Sequence, residues 1–432
     1  MKFVSVRNES PPVSFREALL RGIAPDGGLY VPEVLPKLSP RFFERLSESS
    51  LQQICAEVLA KYIDEIPAAD LDRIIEKSLS FPIPLVRLEE GISLLELFHG
   101  PTLAFKDVGA RFMAETMSYF LGQEKNEVTI LVATSGDTGS AVAHGFFNVP
   151  NIKVFILYPS GKISRLQEQQ MTTLGGNICA IEVGGTFDDC QRLLKLALAD
   201  PDIRKKRTLS TANSINLGRL LPQVVYYVWA VAQWQRLDSE KKASPVFSVP
   251  SGNFGNLTAG MYSRMMGTPI ASFIAATNAN DVVPQYLQSG TFTPRVSVQT
   301  ISNAMDVGNP SNLARLQFLY HNDMALMRRD ISAVSISEDE TLAEIRRTYE
   351  RNGTILDPHT AVGVAAARKA GSQVPSIVAA TAHPSKFPEV IKRALGINIG
   401  LHPMLESALQ LPKKSIRIKS GYQELKDLLI ID

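Results

Sequence analysis

Apolar positions in the first eighty residues recur at helical spacing. Leu51, Ile54, Val58, Leu59 and Tyr62 would share one helix face, and Leu71, Ile74, Ile75 and Leu79 repeat the stripe after Pro67. Ser14 with Glu17, and Ser50 with Gln53, have the spacing at which two side chains satisfy each other's free backbone amides, marking helix starts. The segment APDGGLYVPE (24–33) between the first two helices reads as a loop. These stripes predict core and carry little chemistry.

Beyond Pro82 and Pro84 the pattern changes to short apolar runs alternating with helical ones, the signature of a parallel-sheet α/β architecture. Val128–Ala133 runs into TSGDTGSA, Val246–Val249 into PSGNFGN, Ser272–Ala276 into TNAND, and Ile377–Ala380 into TAHPSKFP. Each strand ends in a turn of small or polar residues, after which a helix starts. Ligands of open α/β sheets bind outside the carboxyl ends of strands, where such turns gather. Glycines there let backbone amides close on an anion, and the helix start adds partial positive charge. Several such loops in one chain point to an anionic small molecule. The apolar stretch Leu220–Trp234, broken at Pro222 and Gln223, predicts a buried helix. Residues 236–245 read as a loop or linker. The stretch from Pro412, with Lys413, Lys414, Arg417 and Lys419, reads as a solvated tail.

The chain has 432 residues, too many for one core, so at least two domains are expected. Its net charge of +2 lacks the footprint of a nucleic-acid binder. Three scattered cysteines (Cys55, Cys179, Cys190) fit buried thiols in a reducing compartment better than a disulfide framework or zinc site. Arg7, Asn8 and Glu9 interrupt any apolar signal core, and no run nears the ~18 apolar residues of a membrane helix. The expectation is a cytoplasmic protein that does not enter a membrane. GxGxxG, a complete P-loop, GxSxG and HExxH are missing, and the six histidines lack metal-ligand spacing, so no metal is expected.

One lysine stands out. In HGPTLAFKDVGARFMAETM (99–117), Lys106 lies between a Gly-Pro turn and a helix whose apolar side carries Val108, Phe112 and Met113. For most lysines a snorkelling surface role is the default. Here desolvation and the positive helix end both disfavour the ammonium, which prepares an amine for Schiff-base chemistry. A lysine nucleophile beside glycine-rich phosphate cradles points to pyridoxal 5'-phosphate.

The motifs HGPTLAFKD, ATSGDTGSA, SINLGRLLPQ, SGNFGN, SNAMDVGNPSN, DPHTAVG and ATAHPSKFP occur in an order, together with APDGGLYVPE, that resembles the threonine synthase family of bacterial and fungal type, to about residue 395. The resemblance implies a fold-type II pyridoxal-phosphate architecture: two open, twisted α/β domains with a mainly helical N-terminal region. It implies residues 1–85 as that region, 86–127 with 216–400 as a large cofactor-binding domain, 128–215 as a small mobile domain, and 401–432 as a tail. The family converts O-phospho-L-homoserine and water into L-threonine and phosphate.

Carried over, the resemblance makes Lys106 the residue that bonds the cofactor and moves the substrate's Cα proton. Gly252, Asn253, Phe254, Gly255 and Asn256 would cradle the cofactor phosphate, and Thr381 would meet the pyridine nitrogen, although Thr381 is also placed to cap a helix. Thr134, Ser135, Gly136, Asp137 and Thr138 resemble the loop that holds the substrate carboxylate. Asp137 should repel that group, so either helix-start amides outweigh it or its carboxylate points elsewhere. By residue type, Lys162, Asn213, Ser214, Asn216 and Arg219 are candidates for the substrate phosphate. Two rivals stand: a phospho-lyase or dehydratase releasing a 2-oxo acid, and a non-catalytic phosphometabolite binder. Monomer and homodimer both stay open.

Overall fold

The computed structural model describes residues 1–122, 127–237, 243–371 and 374–431. The chain builds two sheets and a small ribbon. The ribbon pairs β1 (Phe3–Ser5) antiparallel with β2 (Tyr30–Pro32). The larger sheet contains β3 (Leu85–Glu89), β4 (Ile92–Glu96), β9 (Val246–Pro250), β10 (Ser272–Thr277), β11 (Ile331–Ser335) and β12 (Ser376–Ala380), ordered β11-β10-β9-β12-β4-β3. All neighbours are parallel except β3 with β4. The smaller sheet contains β5 (Val128–Ala133), β6 (Ile152–Pro159), β7 (Ile178–Gly184), β8 (Thr208–Thr211) and β13 (Ile416–Lys419), ordered β13-β7-β6-β5-β8 and parallel throughout. The α/β expectation is met. β5 and β9 are buried at every position, which is why they read as continuous apolar runs rather than alternating ones.

The two capping boxes form as expected, at Ser14 and Ser50. Both N-terminal stripes are buried and join one continuous core with Phe112, Met113, Met117 and Phe120 of the helix Lys106–Gly122 and with Val224, Val225 and Val228 of the helix Val224–Leu237. The N-terminal helices therefore form a wall that fixes the helix at whose start Lys106 stands. The apolar stretch from Leu220 is buried, with a 3-10 turn at Leu221–Gln223 where Pro222 removes an amide donor. The reading of 236–245 as a linker falls largely on residues 238–242, outside the described residues.

Two readings change. APDGGLYVPE is not all loop, because its end is β2, completely buried; three residues are too few to show a period. The segment after Pro412 is not a solvated tail. β13 adds an edge to the smaller sheet, and the helix Tyr422–Ile431 buries Leu425 and Leu429 against Leu193, Leu194 and Ile203. Lys413 pairs with Glu168 and Glu182, each at 2.6 Å. The edge strand IRIK exposes most of its side chains, so its polar composition concealed its pairing.

Candidate active site

The carboxyl ends of the two sheets meet, and the loops leaving them enclose a cleft of about 120 Å³. Lys106 reaches it through a zipper of backbone bonds. Phe105 N donates to Thr381 O (2.9 Å), His383 N donates to Leu103 O (3.1 Å), and Tyr226 Oη donates to Phe105 O (2.7 Å). This antiparallel bridge lays the residues before Lys106 against the end of β12, so Lys106 and Thr381 line the same cleft although 275 positions separate them in sequence. Capping of the next turn falls to His383, whose Nδ1 accepts the Ser385 amide, so Thr381 is free of that duty.

Opposite lies the loop after β9. Phe254 sits in the left-handed region (φ 61°), uncommon outside glycine, and starts the helix Gly255–Met265, whose first residues Gly255 and Asn256 line the cleft. A β-carbon on Gly252 would lie 2.7 Å from Met305 Cα, so only glycine lets the loop pass residues 304–305. Asn253 bonds the Ser214 hydroxyl through Nδ2 and accepts the Ser311 amide through Oδ1 (2.6 Å). Asn256 is spent on the loop itself, donating to Pro250 O and accepting from Leu257 N.

The smaller sheet supplies the third wall. The Thr134 hydroxyl accepts the amides of Gly136 (2.9 Å) and Gly139 (2.8 Å), bending the chain into the helix Asp137–Phe146. Gly136 has φ 136°, and a β-carbon there would strike Gln167 at 2.5 Å. Ser135 and Thr138 line the cleft. Asp137 turns away from the loop's amides. Its Oδ1 receives the ammonium of Lys386 (2.7 Å) and the Gln167 amide (3.0 Å), and its Oδ2 lies 3.6 Å from Lys106 Nζ. Burial alone would raise this carboxyl, but Lys386 and then Lys106 outweigh it and hold it far below the usual range.

Burial also drives the Lys106 ammonium down; Asp137 opposes this, while Lys386 and Arg219 add to it. Arg219 is 3% exposed, gives one bond to Ala212 O, and has no carboxylate in contact among the described residues. Burial lowers it to about 10, against opposing contributions from Tyr226 and Asp107. His359 of the helix Pro358–Ala370 lines the cleft too; its Nε2 accepts the Ala304 amide (3.2 Å), leaving the Nδ1 hydrogen for Asp357 (2.8 Å).

Of the candidates read from the sequence, Lys106, Thr134, Ser135, Asp137, Thr138, Asn213, Ser214, Arg219, Thr381 and the five residues 252–256 border this cleft. Asn213 clasps Ala133, donating to its carbonyl and accepting its amide, and so ties the ends of β5 and β8. Asn216 lies behind the cleft, with its side chain committed to Leu19 O, Thr211 O and Gly218 N. Lys162 is exposed in an outer cleft of about 690 Å³, which shares Ser135 and Phe187 with the inner one. Lys386, Gln167 and His359 are site residues that motif reading passed over, although Lys386 and His359 lie inside the quoted ATAHPSKFP and DPHTAVG.

The residues fit pyridoxal phosphate. The cleft joins a desolvated amine, a glycine-bounded helix start and an uncompensated guanidinium, and Arg219 Nε and Gln223 Oε1 are buried without a partner. Comparison with known proteins agrees. Residues 80–381 match the family model of pyridoxal-phosphate dependent enzymes, 2–79 the threonine synthase N terminus, and 360–429 the threonine synthase C-terminal region. A threonine synthase of Haemophilus influenzae is 43% identical across the whole of both chains. The crystal structure of the Escherichia coli threonine synthase has TM-score 0.93 at 40% identity, covering 100% of this chain and 99% of that one. A structure of threonine synthase from Brucella melitensis with pyridoxal phosphate bound has TM-score 0.93 at 38% identity, covering 99% and 98%. A threonine deaminase of Solanum lycopersicum, at 18% identity and TM-score 0.54, shares the fold alone. With its fold-type II architecture and full-length likeness to these enzymes, the chain belongs to the threonine synthase family of pyridoxal-phosphate-dependent lyases.

Proposed function

We propose that the protein converts O-phospho-L-homoserine and water into L-threonine and phosphate, with Lys106 as its reacting amine. The observation that carries this reading is the meeting of Lys106 with three separate walls suited to anions: the helix start at 252–256, the loop Thr134–Thr138 and the Ser214–Arg219 side. A substrate with a phosphate and a carboxylate, handled by a phosphorylated cofactor, needs that many cationic or amide-lined surfaces.

Lys106 would hold the cofactor covalently, residues 252–256 would hold its phosphate, and Thr381 would face its pyridine nitrogen. When bound, pyridoxal phosphate supplies the electron sink that stabilises negative charge at a substrate carbon after proton removal. The desolvated Lys106 amine takes that proton from Cα and moves protons at the neighbouring carbon. The loop Thr134–Thr138 orients the substrate carboxylate, a task compatible with Asp137 because its charge faces Lys386 and Lys106. Arg219 and Ser214 hold the leaving phosphate, with Lys162 available from the outer cleft. Closure of residues 128–215 toward the larger sheet would exclude bulk water before water adds at Cβ. The buried thiols Cys55 and Cys190 suit a reducing compartment, and we place the reaction in the cytoplasm.

Incubation with O-phospho-L-homoserine tests the reading. Threonine and inorganic phosphate in equal amounts are expected; a 2-oxo acid with ammonia and no threonine would overturn it.

A further inference from the structure

Among the described residues, Lys386 is the fully buried lysine that the proposed chemistry does not use. It ends the 3-10 turn Pro384–Lys386 after β12, yet its ammonium enters the seam between the sheets, donating to Thr102 O (2.8 Å) and Asp137 Oδ1 (2.7 Å). Asp137 thus stands between two lysines, with one oxygen toward Lys386 and the other 3.6 Å from Lys106 Nζ. All three groups are nearly closed to solvent, with side-chain exposures of 0%, 3% and 15% for Lys386, Asp137 and Lys106.

At such separations in a dry site, a lone carboxylate would hold Lys106 as an ammonium, which is neither nucleophile nor base. A second cation on the far oxygen cancels most of that pull. The other charged groups facing the cluster do not replace it. Asp107 is engaged by the Thr102 amide and hydroxyl, and Arg219 adds positive charge on the Lys106 side. His359 is bonded to Ala304 and Asp357, and His144 and His383, held near 4 by burial, are uncharged at neutral pH.

We propose that Lys386 is a positioning residue for Lys106: its ammonium takes up the charge of Asp137, so that the Lys106 nitrogen can shed its proton and react. The proposal rests on Lys106 being the reacting amine, but not on which substrate it serves.

The test titrates the visible absorbance of the full-length, cofactor-loaded protein without substrate, whose pH midpoint reports protonation of the Lys106 nitrogen. Lys386→Met should raise that midpoint by about one pH unit, a tenfold tighter hold on the proton, while Asp137→Asn should lower it. Lys386→Arg should stay near the parent. A tie that served only to join the sheets would lower thermal stability in both variants without moving the midpoint in opposite directions. Unchanged midpoints, or shifts of the same sign in Lys386→Met and Asp137→Asn, would overturn the proposal. Should Lys386→Met fail to fold, Lys386→Gln, which keeps a donor toward Asp137 without the charge, takes its place: a raised midpoint supports the proposal, and an unmoved or lowered one overturns it. Opposed shifts in a protein that forms no threonine would count against the substrate assignment only.

Discussion

The guanidinium of Arg315 donates twice to the carbonyl of Tyr30, at 3.0 and 2.9 Å, and so fastens β2 of the N-terminal region to the cleft. The same side chain bonds Asn312 Oδ1 (2.6 Å) and Ile215 O (2.6 Å), and it is completely buried with no carboxylate partner among the described residues. Burial lowers it to about 10, so it stays charged at neutral pH. Arg315→Met would strand several buried carbonyls, each costing about 1–3 kcal/mol. The expected result is a loss of roughly 3–5 kcal/mol in denaturant unfolding, with weakened cofactor retention because Ser214 and Ile215 lose their support. Arg315→Lys should recover little, since one ammonium does not replace the fork. A variant as stable as the parent would refute this account.

Lys106→Ala should behave differently from Arg315→Met. Asp137 keeps Lys386 and Gln167, so no buried charge is orphaned and thermal stability should change by less than about 1 kcal/mol. Threonine formation should fall by at least about 10³-fold, and the covalently held cofactor should be lost from the intact mass after borohydride reduction. Reductive labelling that persists at another lysine would move the assignment from Lys106.

Gly252 lines the cleft and Gly136 sits in the loop beside it, and alanine tests each. Gly252→Ala pushes a β-carbon against the Met305 backbone, so the loop must leave its place, and cofactor affinity should drop along with about 2–3 kcal/mol of stability. Gly136→Ala adds both a left-handed φ and a clash with Gln167; its expected mark is a raised KM for substrate at comparable cofactor content. Gly400→Ala, with open space around its Cα, should lie within about 0.5 kcal/mol of the parent. Equal behaviour of all three in denaturation and cofactor titration would contradict the geometry.

The strands that build the cleft were legible because parallel, doubly buried strands write continuous apolar runs, and β5 spans the residues that the run 128–133 marks. Lys106 was legible through its apolar neighbours at a helix start. Lys386 was not, since a lysine in HPSKF reads as an exposed turn. Its burial arises from Thr102 and Asp137, some 250 or more positions away, and no local pattern records such a contact. Asp137 illustrates the same limit, because its orientation depends on that distant ammonium. The substrate-phosphate candidates also divide for physical reasons: Asn216 has an amide donor suited to an anion but spends it on Leu19 O and Thr211 O while its oxygen caps the helix Leu217–Leu220, which sequence spacing alone does not separate from binding.

Acid should weaken the fold through two half-buried histidines. His144 is lowered to about 4 by burial, against a bond it donates to the Gln170 backbone carbonyl, and His383 to about 4 by burial and then by His402 and His99. The unfolded chain binds protons near the ordinary value of 6.5, so between about 4 and 6.5 it holds more protons than the folded one. Stability is therefore present above pH 6.5 and lost as pH falls toward 4. From pH 7 to pH 5 each histidine should cost about 2 kcal/mol. Urea unfolding at both pH values should show His144→Gln reducing the loss by that amount; an identical loss in parent and variant would sink the assignment.

Removing residues 412–432 tests whether the chain's end is part of the fold. β13 covers the outer edge of β7, and Ile418, Leu425 and Leu429 are buried against Val183, Leu193 and Ile203. Burying three such side chains contributes on the order of 5 kcal/mol. Their loss also bares the edge of β7, whose unpaired backbone groups are a template for association. The truncated protein should unfold at lower denaturant concentration and self-associate in sedimentation, while Ile418→Asp in the full chain should reproduce the instability with the edge strand still in place. Arg417→Ala, on an exposed position of the same strand, should stay within about 0.5 kcal/mol. A truncated chain that melts with the parent and stays monodisperse alongside it would return the segment to the status of a solvated tail.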